Sequence, residues 1–131
     1  MGPVGIIWPD VEAITTTYLT TALAARDEPH TAGVHVGATK LPGKTRQVIV
    51  RDDGGDPIGD IRATARLGVN VWAPTEDEAA ALAALVTALL NAWPDGKPVL
   101  RVNARRAFPV ADKAAPLRYL TAELVVRGTT L

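Results

Sequence analysis

Hydrophobic and polar residues alternate strictly from Ile61 to Trp72. Ile61, Ala63, Ala65, Leu67, Val69 and Val71 point one way; Arg62, Thr64, Arg66, Asn70 and Trp72 point the other. A period of two predicts a strand with one face on a core and one face toward water or a partner. Leu117 to Arg127 carries the same signature, with Leu120, Ala122, Leu124 and Val126 alternating with Thr121, Glu123, Val125 and Arg127. Shorter β-like segments run from Val34 to Ala38, from Arg46 to Arg51 and from Val99 to Arg106. The last of these sets Leu100, Val102 and Ala104 on one face.

Between these segments the period lengthens. From Pro9 to Arg26, Val11, Ile14, Tyr18, Ala22 and Ala25 recur at helical steps, with Asp10 as a cap or first-turn acid beside the positive end of the helix dipole. Five threonines between Thr15 and Thr21 weaken this helix, so its prediction rests on periodicity and not on propensity. The second helix has a clear start, since Thr75 followed by Glu78 forms a capping box after Pro74. Leu82, Leu85, Val86, Leu89 and Trp93 supply its apolar stripe, and Pro94, Asp95 and Gly96 stop it. The predicted order is αβββαββ in one domain covering residues 1–131. The fold class is α+β, an antiparallel sheet of about four to five strands with two helices packed on one face.

Composition narrows the chemistry. Hydrophobic residues make up 47% of the 131 positions, enough for one packed core, and fourteen basic residues balance fourteen acidic ones. A balanced chain is not expected to be a free-standing DNA-binding module, although copies that assemble can still build a charged patch. Cysteine and serine are both missing, which removes thiol chemistry, disulfides and serine nucleophiles. The N-terminal "MGPVGIIWPDVEA" has neither a basic region nor a long apolar core, so no signal peptide is expected. The apolar run Ala79 to Leu90 is too short to span a bilayer, so no membrane association is expected.

The stretch "RDDGGDPIGDIR", Arg51 to Arg62, concentrates four aspartates and three glycines. A calcium loop counted from Asp52 would need glycine at the sixth place and glutamate at the twelfth, where Pro57 and Ala63 stand. The pattern fails, and a hairpin connection in which "DGG" supplies positive φ angles accounts for the composition. Gly54, Gly55 and Gly59 follow a strand but open no helix, so they form no phosphate cradle. His30 and His35 lie five apart, a spacing that suits surface histidines better than a metal site. No nucleophile, base and oxyanion hole come together, which points away from an enzyme; a small ligand-binding enzyme built on Asp52 or Asp56 is the alternative from a different class. Trp93 belongs to the core stripe of the second helix. Trp72, on the polar side of its strand, either caps the sheet edge or anchors an interface. Arg105 and Arg106 read as a solvated strand end.

"RQVIVRDDGG", "RATARLGVNVWAPTEDEAAALAALV" and "LRYLTAELVVRG", placed after a first helix, together resemble the tail terminator proteins of long-tailed (siphovirus) bacteriophages, actinobacteriophage type. The resemblance spans nearly the whole chain. Its most specific parts are Arg66 to Trp72 running into the Thr75-capped helix, and Tyr119 to Gly128. Ten arginines against four lysines suit a high-GC genome. The resemblance implies a structural virion protein without cofactor or metal, found at the head-proximal end of the tail and in the host cytoplasm during assembly. Copies would form a ring, typically a hexamer, that ends growth of the major tail tube protein and docks to the head–tail connector or stopper protein. Genomic DNA would pass through the lumen. A neighbouring neck or connector protein of the same virion is the alternative. Candidate contacts to subunit or tube are Arg51, Asp52, Asp53, Asp56, Ile58, Arg62, Arg66, Trp72 and Phe108, together with the Phe108–Pro116 loop.

Overall fold

The computed structural model describes residues 5–131. Eight strands and two α-helices follow one another as β1 (Ile6–Ile7), α1 (Val11–Ala24), β2 (His35–Gly37), β3 (Gln47–Asp52), β4 (Arg62–Trp72), α2 (Glu76–Asn91), β5 (Val99–Ala104), β6 (Phe108–Val110), β7 (Leu117–Arg127) and β8 (Thr129–Thr130), with a single 3₁₀ turn, Pro29–Thr31, before β2. The main sheet has the order β2-β3-β4-β7-β5, and β6 also pairs with β7. All of its pairings are antiparallel except β2 with β3, which is parallel. The fold is therefore α+β as expected, with a mixed sheet of six strands in place of a purely antiparallel one. The two-residue strands β1 and β8 pair with each other in a separate small sheet.

The long central pair β4–β7 runs unbroken from Arg62 opposite Arg127 to Trp72 opposite Leu117. Directly opposed residues share a face, so Ala63, Ala65, Leu67, Val69 and Val71 join Leu120, Ala122, Leu124 and Val126 beneath the helices. α1 packs over β2 and β3, and α2 packs over β4, β5 and β7. Tyr18 of α1 stacks on Trp93 with ring centroids 4.6 Å apart, and its hydroxyl donates to the Leu89 carbonyl oxygen at 2.6 Å. That contact ties the two helices together above the sheet.

Two apolar stripes differ from expectation. In α1 the buried residues are Val11, Thr15, Leu19 and Leu23, while Ala22 is half-buried and Ala25 exposed. The i, i+4 row carrying the two leucines turns inward because it buries more apolar area than a row ending in alanines. In β5, Val99, Val102 and Ala104 oppose the inward residues Val126, Leu124 and Ala122, and a bulge between Val99 and Arg101 takes Leu100 out of the row. The extra residue reverses the parity that strict alternation would give.

Both helix starts are capped as the sequence indicates. The Asp10 carboxylate accepts from Ala13 N–H at 3.1 Å, and the Thr75 hydroxyl accepts from Glu78 N–H at 3.2 Å. Only half of the capping box forms, because the Glu78 carboxylate turns to Arg46 at 2.8 Å. The α2 entry is thereby tied to the start of β3.

Candidate interaction surface

The helices cover one face of the sheet, and the opposite face has none. Arg62, Thr64, Arg66, Gly68, Asn70 and Trp72 of β4 point into that open face, with their partners on β3 and β7. Part of it is closed at the Trp72 end. The Gln47 side chain is fully buried there, donating to the Leu41 and Lys44 carbonyls and accepting from Leu41 N–H, so the 38–45 segment folds over the end of β3. The Trp72 indole N–H donates to Asp112 at 3.0 Å, and Lys40 Nζ sits 4.5 Å from the ring centroid. Trp72 thus clasps two loops together across the sheet end.

The acidic stretch is no floppy loop. Pairing between β3 and β4 continues past Asp52: Asp53 N–H donates to Arg66 O at 2.7 Å, Arg66 N–H to Gly54 O at 2.7 Å, Thr64 N–H to Asp56 O at 2.9 Å and Ile58 N–H to Arg62 O at 2.9 Å. Asp53 and Gly54 both bond to Arg66, so the pairing shifts by one residue there and marks a bulge at Asp53 and Gly54. Gly54 holds φ +89°, and a Cβ on Gly55 would lie 1.9 Å from the Thr64 carbonyl oxygen. The hairpin expected from sequence is present, but "DGG" makes the bulge and the chain reverses further on, between Ile58 and Arg62. Every residue from Arg51 to Asp60 is exposed, and Ile58 keeps 51% of its surface near the tip. The result is an ordered extension of β3 along the sheet edge, paired with Arg62 to Arg66 of β4, which pair in turn with β7; we call it the arm.

At the arm's root the Arg51 guanidinium donates to Asp53 Oδ1 at 2.6 Å and to the Tyr119 hydroxyl at 3.2 Å. Arg51 holds the Asp53 carboxyl below the usual carboxylate range, and Asp53 in turn raises Arg51. Gly68 is the floor of this cluster: a Cβ there would stand 2.7 Å from both Arg51 Nη2 and the Tyr119 hydroxyl. Arg66 lies between Asp56 at 3.9 Å and Glu123 at 4.0 Å. Asp52 faces the helical side, where its N–H donates to Glu12 at 3.2 Å.

The predicted contact residues therefore fall into groups. Arg51 and Asp53 meet at the arm root, Arg66 stands beside them on the open face, and Arg62 stands on the same face at the turn end. Asp56 and Ile58 lie on the arm, and Asp52 lies on the side away from the open face. Trp72 and Phe108 mark the far end. Phe108 belongs to β6 and not to a loop, so the expected Phe108–Pro116 loop shortens to the residues after Val110. Its ring is 51% exposed and meets Tyr119 edge-on at 5.7 Å. Tyr119 and Gly68 were missed in the sequence; a glycine interrupting a strict alternation, which commonly marks a close approach by another group, was the available signal.

The histidines serve local structure. His30 Nε2 lies 2.9 Å from Glu28, and His35 Nε2 lies 3.0 Å from the Thr39 carbonyl oxygen. Among the described residues no three His, Cys, Asp or Glu side chains cluster as metal ligands, and no helix is long and apolar enough to cross a membrane. No protein-family model matches the chain, and the search of curated proteins gave no match either.

Proposed function

We propose that this chain is a structural virion protein of the tail terminator type. Copies close into a ring on the head-proximal end of a phage tail tube, stop further addition of tube protein and present the opposite ring face to the head–tail connector. The genome crosses the lumen, and no cofactor takes part. The observation that carries this reading is the arm Arg51–Arg62, which is hydrogen-bonded almost to its tip and exposed at every residue from Arg51 to Asp60. A pre-ordered arm loses little conformational freedom on docking, which suits it to reach a neighbour in a ring or the tube below. The edge of β5 and β6 offers further backbone groups that ring closure would hide without open-ended growth.

The test is tube polymerisation in the presence of this protein. Added to growing tubes, it should cap one end and fix their length, and capped tubes should join heads. Binding to connector protein with no effect on tube growth would assign the chain to the neck, and binding to neither would overturn the virion reading.

A further inference from the structure

The chain is electrically neutral, yet its charges are sorted by face. Six arginines, Arg51, Arg62, Arg66, Arg101, Arg105 and Arg127, stand exposed on the open side of the sheet according to strand register. The acids that share this face by register are Asp53, Asp56 and Glu123, which lie beside Arg51 and Arg66. Arg62, Arg101, Arg105 and Arg127 have no carboxylate within 4.0 Å among the described residues. Arg62 also sits directly opposite Arg127 in the β4–β7 ladder. Like charges facing each other across strands weaken a sheet, so this pair is stabilised only when an outside anion joins it.

The helical layer is the reverse. Neither α1 nor α2 contains a lysine or arginine, even in the last turn, where the helix dipole favours a cation. Their charged residues are Glu12, Glu76, Asp77 and Glu78, with Asp10 at the α1 cap. Glu78 and Glu76 are held by Arg46 and Arg118, which leaves Asp10, Glu12 and Asp77 without a cation within 4.0 Å among the described residues. A solvent-facing helix normally carries mixed charge on its polar face. Although Arg106 and Arg118 stand against α2, the helices themselves carry only acids and the open sheet face carries an excess of arginine, which makes one copy complementary to the next.

We infer that the open arginine face of one copy docks on the acidic helical layer of a second copy of this chain. The contact is heterologous, front to back, so each copy gives one face and receives on the other. The occupant follows from the chain itself, because the matching acidic surface lies on the same molecule. Closed around an axis such contacts give a ring, and the inference shares with the terminator reading only the premise that copies meet.

The experiment measures self-association of the full chain by sedimentation at rising concentration, with tube capping scored separately. Association of the wild type should weaken steeply as salt rises, since the paired groups are exposed. Arg101→Glu with Arg127→Glu should raise the dissociation constant about tenfold or more, and so should Glu12→Lys with Asp77→Lys. Mixed one to one, the two variants should associate again, because each restores the other's missing complement. Circular dichroism checks the fold, and Arg101→Gln with Arg127→Gln gives a milder second series with the same direction. A monomeric wild type, or a helix-face reversal without effect, or a mixture that fails to recover, overturns the inference. Salt-dependent binding of duplex DNA lost with Arg101 and Arg127, and unchanged self-association, overturns it in favour of a polyanion. Tube capping without self-association in solution would overturn it while leaving the terminator reading in place.

Discussion

The two faces of β4 share one backbone and obey different rules. On the inward face Ala63, Ala65, Leu67, Val69 and Val71 are all buried, and each is fixed by the volume left beneath α1 and α2. On the outward face Arg62 and Arg66 are exposed, Gly68 makes room for Arg51 and Tyr119, and Trp72 clasps two loops. The inward face specifies the fold. The outward face is charged, shaped and free to meet something else.

The strongest way to break the contrast is on the covered side. Leu82 of α2 is fully buried in the core, so Leu82→Ala should cost about 2–5 kcal/mol in chemical denaturation. Arg66→Ala, one step along the outward face, should change stability by no more than about 0.5 kcal/mol. Equal losses from the two would dissolve the distinction between the faces.

The arm comes next. Gly55→Val puts a side chain into the Thr64 carbonyl and should open the arm's ladder, speeding amide exchange at Thr64 and Arg66. The core amides of Val69 and Leu124 should keep their protection. Simultaneous loss at both places would mean that the arm and the core unfold as one unit.

Thr15 sharpens the inward side. Its hydroxyl is buried without a hydrogen-bond partner, so Thr15→Val keeps the shape, removes the orphaned group and should stabilise the protein by about 1 kcal/mol. A loss of stability on calorimetry would show that the hydroxyl is satisfied in solution.

The smallest effect belongs to the arm root. The Asp53 carboxyl is lowered by Arg51, so their attraction is present above the ordinary carboxylate range and is lost as the pH falls through the lowered Asp53 value. Both side chains are substantially exposed, which limits the contribution to less than about 1 kcal/mol. In an NMR titration, Arg51→Ala should return Asp53 to the ordinary range; an unmoved midpoint would remove the pair from the account.

Most of the inward architecture was legible because burial imposes a period. β7 begins and ends at its predicted residues, β4 differs by one residue, and the α2 start was readable from Thr75. What the sequence hid is instructive. The α1 stripe runs through Thr15, so a polar residue at a core position disguised the inward row. Pro109 made β6 look like a loop, although an edge strand tolerates proline where no ladder donor is needed. The bulges at Leu100 and at Asp53–Gly54 shift register by one residue, and a bulge changes pairing without changing composition. The arm's acids and glycines were visible at once, but its paired geometry along the sheet edge depends on hydrogen bonds between residues 53–58 and 62–66 that no local pattern encodes. The sorting of charge by face depends on strand order, which the chain's neutral total conceals.

The central claim, that the arm lets copies form a ring that caps a tube, is tested most directly by imaging tail tubes end-on after adding this protein. The wild-type chain should place a closed ring of several copies on one tube end, and a chain shortened between Asp53 and Gly59 should leave that end bare while remaining folded. A single copy on the tube, or an undiminished ring built by the shortened chain, would contradict the account.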